Sequence, residues 1–185
     1  MGIGNTTAAS ALTAALTGAP VADLTGRGTG IDEPTFKNKI RAIERALSVN
    51  RPNPQKPLSV LAQVGGFEIA GLVGVILAGA AARTPVLIDG FISGAAALVA
   101  CRLAPRAMDS LVAAHLSVER GHRLILQELR LAPLLELQMR LGEGTGAALA
   151  MPILDAACAI LSEMATFEEA GVSGKNEIAE QKQGQ

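Results

Sequence analysis

Short apolar runs recur along this chain, and each gives way to a glycine or polar cluster that opens a helical run. Residues 21–25, 59–64, 84–90 and 111–117 read as strands, recurring at roughly 25-residue spacing where the pattern is regular. Parallel strands need a crossover of about a dozen residues or more, usually a helix. The alternation therefore predicts an α/β fold, a parallel sheet with crossover helices on both faces. The intervening helices are expected from Thr6 to about Leu16, from near Glu33 past Leu47, and over 69–82 and 91–103. Two more are expected, from near His122 to Leu131 and from Thr145 to about Phe167, the last with Pro152 inside it. The helix near Glu33 carries Phe36, Ile40, Ile43 and Leu47 as one apolar stripe. Residues 50–57 hold three prolines and read as a linker, and 133–141 as irregular.

The stretch Arg140-Leu-Gly-Glu-Gly-Thr-Gly-Ala-Ala-Leu149 holds one carboxylate between glycines, just before an apolar run. Gly142 and Gly144 permit a sharp turn there, and Thr145 is an N-cap candidate for the run that follows. Glu143 then has two readings. One is an acid favoured at a helix N-terminus by the dipole; the other is a general base in a water-poor pocket.

Other polar residues fall where apolar runs end. Gly65 and Gly66, Asp89 and Gly90, and His115 and Ser117 all sit at expected strand ends, where open α/β sheets bind their ligands. Two glycine turns precede helices: Gly2-Ile-Gly-Asn5 and Gly26-Arg-Gly-Thr-Gly30. Free backbone N–H groups at such places attract anions. Lys39 lies at the edge of its helix's apolar stripe while Lys37 and Arg41 point away. It is either a snorkelling lysine or a cation reaching a phosphate over the glycine loop. No strand precedes the first glycine turn, so the chain is expected to be a fragment whose N-terminal half lies elsewhere.

Composition narrows the function. The formal net charge is −1, with no basic block, no Tyr and no Trp. A nucleic-acid surface, which needs clustered cations and stacking aromatics, is excluded. The two cysteines, Cys101 and Cys158, lie in apolar runs and are expected as buried free thiols of a reducing, cytoplasmic compartment. Two histidines with no nearby cysteine make no zinc site. The uncharged run 69–82 is too short to cross a bilayer and is expected as a buried helix. No signal peptide and no membrane association are expected.

Together the motifs identify a family. Met1-Gly-Ile-Gly-Asn-Thr-Thr7, Gly26-Arg-Gly-Thr-Gly30, Gly65-Gly-Phe-Glu-Ile-Ala70, Pro85-Val-Leu-Ile-Asp-Gly-Phe-Ile92, His115-Leu-Ser117, Leu141-Gly-Glu-Gly-Thr-Gly-Ala147, Met164-Ala-Thr-Phe167 and Ala170-Gly-Val-Ser173 match it. The sequence closely resembles the nicotinate-nucleotide–dimethylbenzimidazole phosphoribosyltransferases of cobalamin lower-ligand synthesis, over their C-terminal portion.

That resemblance implies a Rossmann-like sheet, with N-terminal strands and a small helical subdomain missing here. Residues 1–174 would be the C-terminal part of the phosphoribosyltransferase domain, and 175–185 a disordered polar tail. The implied reaction moves ribose 5-phosphate from nicotinate mononucleotide to 5,6-dimethylbenzimidazole, with inversion and without cofactor or metal. Glu143 would be the general base. Gly2, Gly28 and Gly90 would cradle the phosphate, with Lys39 and Ser117 as side-chain partners and Asp89 beside the ribose. The full-length form would be a homodimer. A truncated module that binds a nucleotide without transferring it is the alternative. A dinucleotide-binding oxidoreductase is disfavoured, because the Gly-x-Gly turn at 2–4 lacks the third glycine.

Overall fold

The structure is a computed structural model that describes residues 4–140 and 142–172. Gly2 and the expected tail 175–185 lie outside the described residues. The chain divides into two compact units, Met1–Ala150 and Met151–Gln185.

In the first unit, α6 (Phe91–Leu103) is the central helix, and 91–103 is where the sequence places it. Gly94 through Cys101 are all buried. Such small side chains let α1 (Thr6–Thr17), α4 (Pro57–Val64), α5 (Phe67–Ala81) and α7 (Arg120–Glu128) pack against it. Helix α3 (Glu33–Asn50) packs on α1 with Ile40, Ile43 and Leu47 of the expected stripe inward, Ile43 fully buried, while the Phe36 ring lies under Arg27. It begins where Asp32 accepts the Thr35 N–H at 2.9 Å, with Pro34 in the first turn.

Two of the four expected strands exist. β1 (Val86–Ile88) and β2 (Leu111–Ala113) pair in parallel, Val86 opposite Leu111, joined through α6 and a 3₁₀ turn at Pro105–Ser110. The other two are helices. Residues 59–64 belong to α4, which opens on Pro57 and buries Val60, Leu61 and Val64 on one helical face. Residues 21–25 hold the one-turn α2 (Val21–Leu24), again behind a proline, with Val21 and Leu24 buried three apart. In each case a short apolar run fits either period, and the proline decides for the helix. Gly65 and Gly66 consequently link two helices rather than ending a strand.

The sheet gains an irregular neighbour. Leu134 and Leu135 donate to the carbonyls of Ala113 and Ala114 at 2.9 and 3.1 Å, and Leu116 donates to Leu135 at 2.8 Å. Val118 donates to Met139 at 3.2 Å. Residues 134–139 thus run alongside β2 and its extension, which carries the chain to Glu143 at the Ser117 end.

Helix α5 is not buried as expected. It buries only Ile69, Val73 and Ile76, while Val75 is 61% exposed. Cys101 is buried, but Cys158 is exposed, which overturns the expectation of two buried thiols. Helix α8 (Thr145–Glu163) crosses the boundary between the units. Within the second unit Ile160, Leu161, Met164 and Phe167 are exposed. By length and composition α8 is the one described helix able to cross a bilayer, at a mean hydropathy of 1.6. A single such helix is weak ground for a membrane assignment.

Candidate active site

The site lies in the first unit, where β1 and β2 end. Residues 89 and 90 follow β1, and 115–117 follow β2. Gly90 faces Ser117 closely: a Cβ on Gly90 would lie 3.8 Å from the Ser117 Cβ and 3.7 Å from His115 Nε2. The Gly90 N–H donates to Ser93 Oγ at 3.0 Å, which fixes the turn into α6. Ser117 is held from both sides. Its N–H donates to His122 Nδ1 at 3.0 Å, and its Oγ accepts the Glu119 N–H at 3.3 Å.

A second group forms around Lys39. Its ammonium donates to Thr6 Oγ1 at 2.7 Å and to the Gly26 carbonyl at 3.0 Å. A Cβ on Gly28 would lie 3.9 Å from Lys39 Nζ and 3.3 Å from Thr6 Oγ1. The start of α1, the 26–30 loop and one half-buried cation therefore converge. Burial lowers the Lys39 pKa, and the Glu119 carboxylate opposes that shift. The ammonium has three donors, so one remains for a ligand beside its two partners among the described residues.

Glu119 joins the two groups. Its backbone bonds Ser117, and its carboxylate occupies the place a Cβ on Gly26 would fill. Glu119 Oε2 is buried with no hydrogen-bond partner among the described residues. A cleft of about 440 Å³ opens beside it, lined in part by Ser117, Glu119, Arg120, Arg123 and Gln138. That cleft includes neither Lys39 nor Glu143.

Glu143 reaches the same edge by another route. Arg140 Nη2 donates to the Gly28 carbonyl at 2.9 Å, tying the segment before Glu143 to the glycine loop. Gly142, Glu143 and Gly144 are all left-handed, with φ of 75°, 59° and 80°. Three other non-glycine residues with positive φ, Arg51, Arg83 and Arg130, stand at helix C-terminal ends. Gln138 and Glu143 do not, and a left-handed Glu costs about 1 kcal/mol. The Glu143 side chain is exposed and bonds no described residue.

Asp89, the acid expected beside the ribose, bonds the start of α8. Its carboxylate accepts the Gly144 N–H at 3.3 Å and the Ala147 N–H at 3.0 Å. It caps α8 from 55 residues upstream and suits the positive end of the helix dipole. His115 Nε2 stands 3.7 Å from Asp89 Oδ1 and is almost wholly buried. Its Nδ1, like His122 Nε2, has no partner among the described residues. Burial, with the His115 charge second, pushes His122 down to about 4 against a pull from Asp89. Neutral His122 is the form that can accept from Ser117.

The structure thus pairs Lys39 with Gly28, Gly90 with Ser117, and Asp89 with the Glu143 loop. Sequence reasoning does not single out Glu119, His122 or Arg140 as site residues; Thr6 enters it only as the helix start behind the first glycine turn. Glu119 and His122 carry a signal of position, two residues beyond the end of an expected strand and at the start of a helix. Among the described residues no group of three or more His, Cys, Asp or Glu is placed to hold a metal.

The chain is similar to known proteins over nearly its whole length. The phosphoribosyltransferase family matches residues 1–172. A nicotinate-nucleotide–dimethylbenzimidazole phosphoribosyltransferase of Chloroflexus aggregans is 64% identical over 96% of this chain and 50% of its own length. A protein of that name from a Roseiflexus species is 63% identical over the same shares. The crystal structure of CobT from Thermus thermophilus superimposes with a TM-score of 0.88 at 54% identity, over 94% of this chain and 51% of that one. The chain spans about half the length of the relatives it matches.

Proposed function

From the premise that the chain belongs to the phosphoribosyltransferase family, we propose that it is the part of an α-ribazole 5′-phosphate-forming enzyme that carries the general base. The donor is nicotinate mononucleotide and the acceptor 5,6-dimethylbenzimidazole, in keeping with the relatives' name, which carries nicotinate nucleotide and dimethylbenzimidazole. One azole nitrogen attacks the anomeric carbon with inversion. The bond from that carbon to the pyridinium nitrogen breaks, and its electron pair leaves with nicotinate as neutral pyridine. The proton on the other azole nitrogen passes to Glu143. A carboxylate in reach of that proton lowers the barrier, because the azole becomes a better nucleophile as it loses it. The departing pyridinium is already charged, so the chemistry calls for no cofactor.

One observation carries the reading. Asp89 takes the amide hydrogens at the start of α8, so Glu143 is not needed as that helix's cap. Its left-handed turn instead spends about 1 kcal/mol holding an exposed carboxylate at the sheet edge. Lys39, Gly28, Gly90 and Ser117 are the proposed phosphate contacts. Gly2 is proposed with them on the resemblance alone. A Rossmann-like sheet completed by further strands, a cytoplasmic location and a full-length homodimer belong to the same proposal.

The test is direct. The chain is incubated with both substrates, and nicotinate and α-ribazole 5′-phosphate are separated by chromatography. Product with the parent chain and at least a roughly 100-fold loss with Glu143→Gln is expected; wild-type turnover by that variant would refute the general base. A second reading rests on the chain's spanning half of its relatives' length: a module that binds the donor without transfer. Calorimetric binding of nicotinate mononucleotide with no nicotinate released would favour the module.

A further inference from the structure

We propose that Asp89 is a positioning residue for Glu143: it fixes the Gly142–Gly144 turn to the end of β1, rather than contacting the substrate ribose. The inference rests on the reading of Glu143 as general base. Four observations on separate residues carry it. Both Asp89 oxygens are engaged by the loop, Oδ2 by the Gly144 N–H at 3.3 Å and Oδ1 by the Ala147 N–H at 3.0 Å. These donors flank the turn's exit into α8, so the carboxylate fixes where the turn ends and the helix begins. His115, 2% exposed, stands behind the carboxylate with Nε2 3.7 Å from Oδ1. Gly146 has no room for a side chain, since a Cβ there would overlap the His115 ring and lie 2.8 Å from Asp89 Oδ1.

The glycines before and after Glu143 meet nothing. A Cβ on Gly142 or Gly144 would have no neighbour within 4 Å among the described residues. At these two glycines no described side chain confines the turn; the hydrogen bonds to Asp89 fix its exit, and Arg140 ties the segment before it to Gly28. A general base displaced by about 1 Å can lose on the order of 100-fold in rate. The anchor is charge-assisted and comes from the residue directly after β1. Through Asp89 the acid's position is referred to the end of β1, and the residue after Asp89 is Gly90, beside Ser117.

The experiment uses the 185-residue chain with Asp89→Ala and Asp89→Asn. Amide hydrogen exchange is followed at Gly144 and Ala147, with Gly94 and Ala114 as internal controls bonded to Gly90 and Ile88 carbonyls. Donor affinity is measured by calorimetry with nicotinate mononucleotide, and turnover by nicotinate release. Asp89→Ala is expected to speed exchange at Gly144 and Ala147 by about tenfold or more with the controls unchanged. Donor Kd stays within about threefold, while turnover falls by roughly 100-fold. Asp89→Asn, which keeps one acceptor oxygen, is intermediate in both.

Unchanged protection at Gly144 and Ala147 would overturn the proposal. So would faster exchange there with full turnover, or a tenfold weaker donor Kd with both amides still protected, the mark of a ribose contact. If Asp89→Ala loses protection at the controls as well, Asp89→Asn decides by the same criteria. Glu143→Gln separates the two readings. It is expected to abolish turnover and leave both amides protected; retained turnover would remove the general base, while the exchange data would still report on the anchor.

Discussion

The same chemical change, glycine to alanine, should have opposite signs at two helical positions. Gly74 lies exposed in α5, and a Cβ there meets nothing within 4 Å. Gly74→Ala should gain the helix propensity of Ala, about 1 kcal/mol. Gly146 gains the same propensity in the first turn of α8. Its Cβ, however, would overlap the ring of His115 and lie 2.8 Å from Asp89 Oδ1. Neither neighbour can swing away, since His115 is buried and Asp89 is held by two amides. Overpacking of this kind costs about 1–3 kcal/mol, and disturbing the two Asp89 hydrogen bonds about 1 kcal/mol each. The net is a loss of about 3 kcal/mol. At about 2–4 °C per kcal/mol for a chain of this size, Gly146→Ala should melt about 6–12 °C lower, and Gly74→Ala about 2–4 °C higher. Thermal melts followed by circular dichroism read both. A Gly146→Ala chain that gains stability in step with Gly74→Ala would refute the close packing of Gly146 on His115 and Asp89.

Acid should weaken the fold through His122. Burial holds its folded pKa at about 4 against 6.5 when unfolded, so the unfolded chain takes up the proton first. Its contribution is complete above about 6.5 and is lost as pH falls towards 4, on the order of 3 kcal/mol in all. Urea midpoints from about pH 7 to 4.5 should drop accordingly, and His122→Asn should flatten the slope. Lys39→Met should weaken nicotinate mononucleotide binding by roughly tenfold or more by calorimetry, with Lys39→Arg recovering part of it; equal affinity in all three would remove Lys39 from the phosphate site. A thiol reagent at about pH 8 should label Cys158 at once and Cys101 only on unfolding, because Cys158 is exposed while burial pushes the Cys101 thiol up to about 11.

What the sequence makes legible here depends on whether local chemistry is unambiguous. The helix over 91–103 opens after Gly90 and carries a basic residue, Arg102, in its last turn, and the structure places it at 91–103. The strands at 86–88 and 111–113 are β-branched and leucine-rich, and each is followed by a polar residue two or fewer positions on. The runs at 21–25 and 59–64 have the same apolarity but start behind Pro20 and Pro57, and at that length hydrophobic period cannot arbitrate. The exposure of α5, α8 and Cys158 was not legible for a different reason. Apolar composition reports what a surface avoids, not whether anything in this chain covers it.

The misread strands leave the candidate site intact because no site side chain depends on them. Gly26–Gly30 needs only a loop that reaches Lys39, and a one-turn helix delivers it as well as a strand would. The role of Asp89 was hidden for a topological reason. An acid after a strand and an acid inside a glycine turn look alike in sequence, and each could serve as a helix cap or as a functional group. The hydrogen bonds from Gly144 and Ala147 show the Asp89 carboxylate at the start of α8, a contact no local pattern announces. With the Asp89 carboxylate, just after β1, already at the start of α8, a second one at Glu143 adds little capping. Retaining it there, in a backbone conformation that costs about 1 kcal/mol, makes physical sense when its carboxylate is required outward, where an incoming ring could give up a proton.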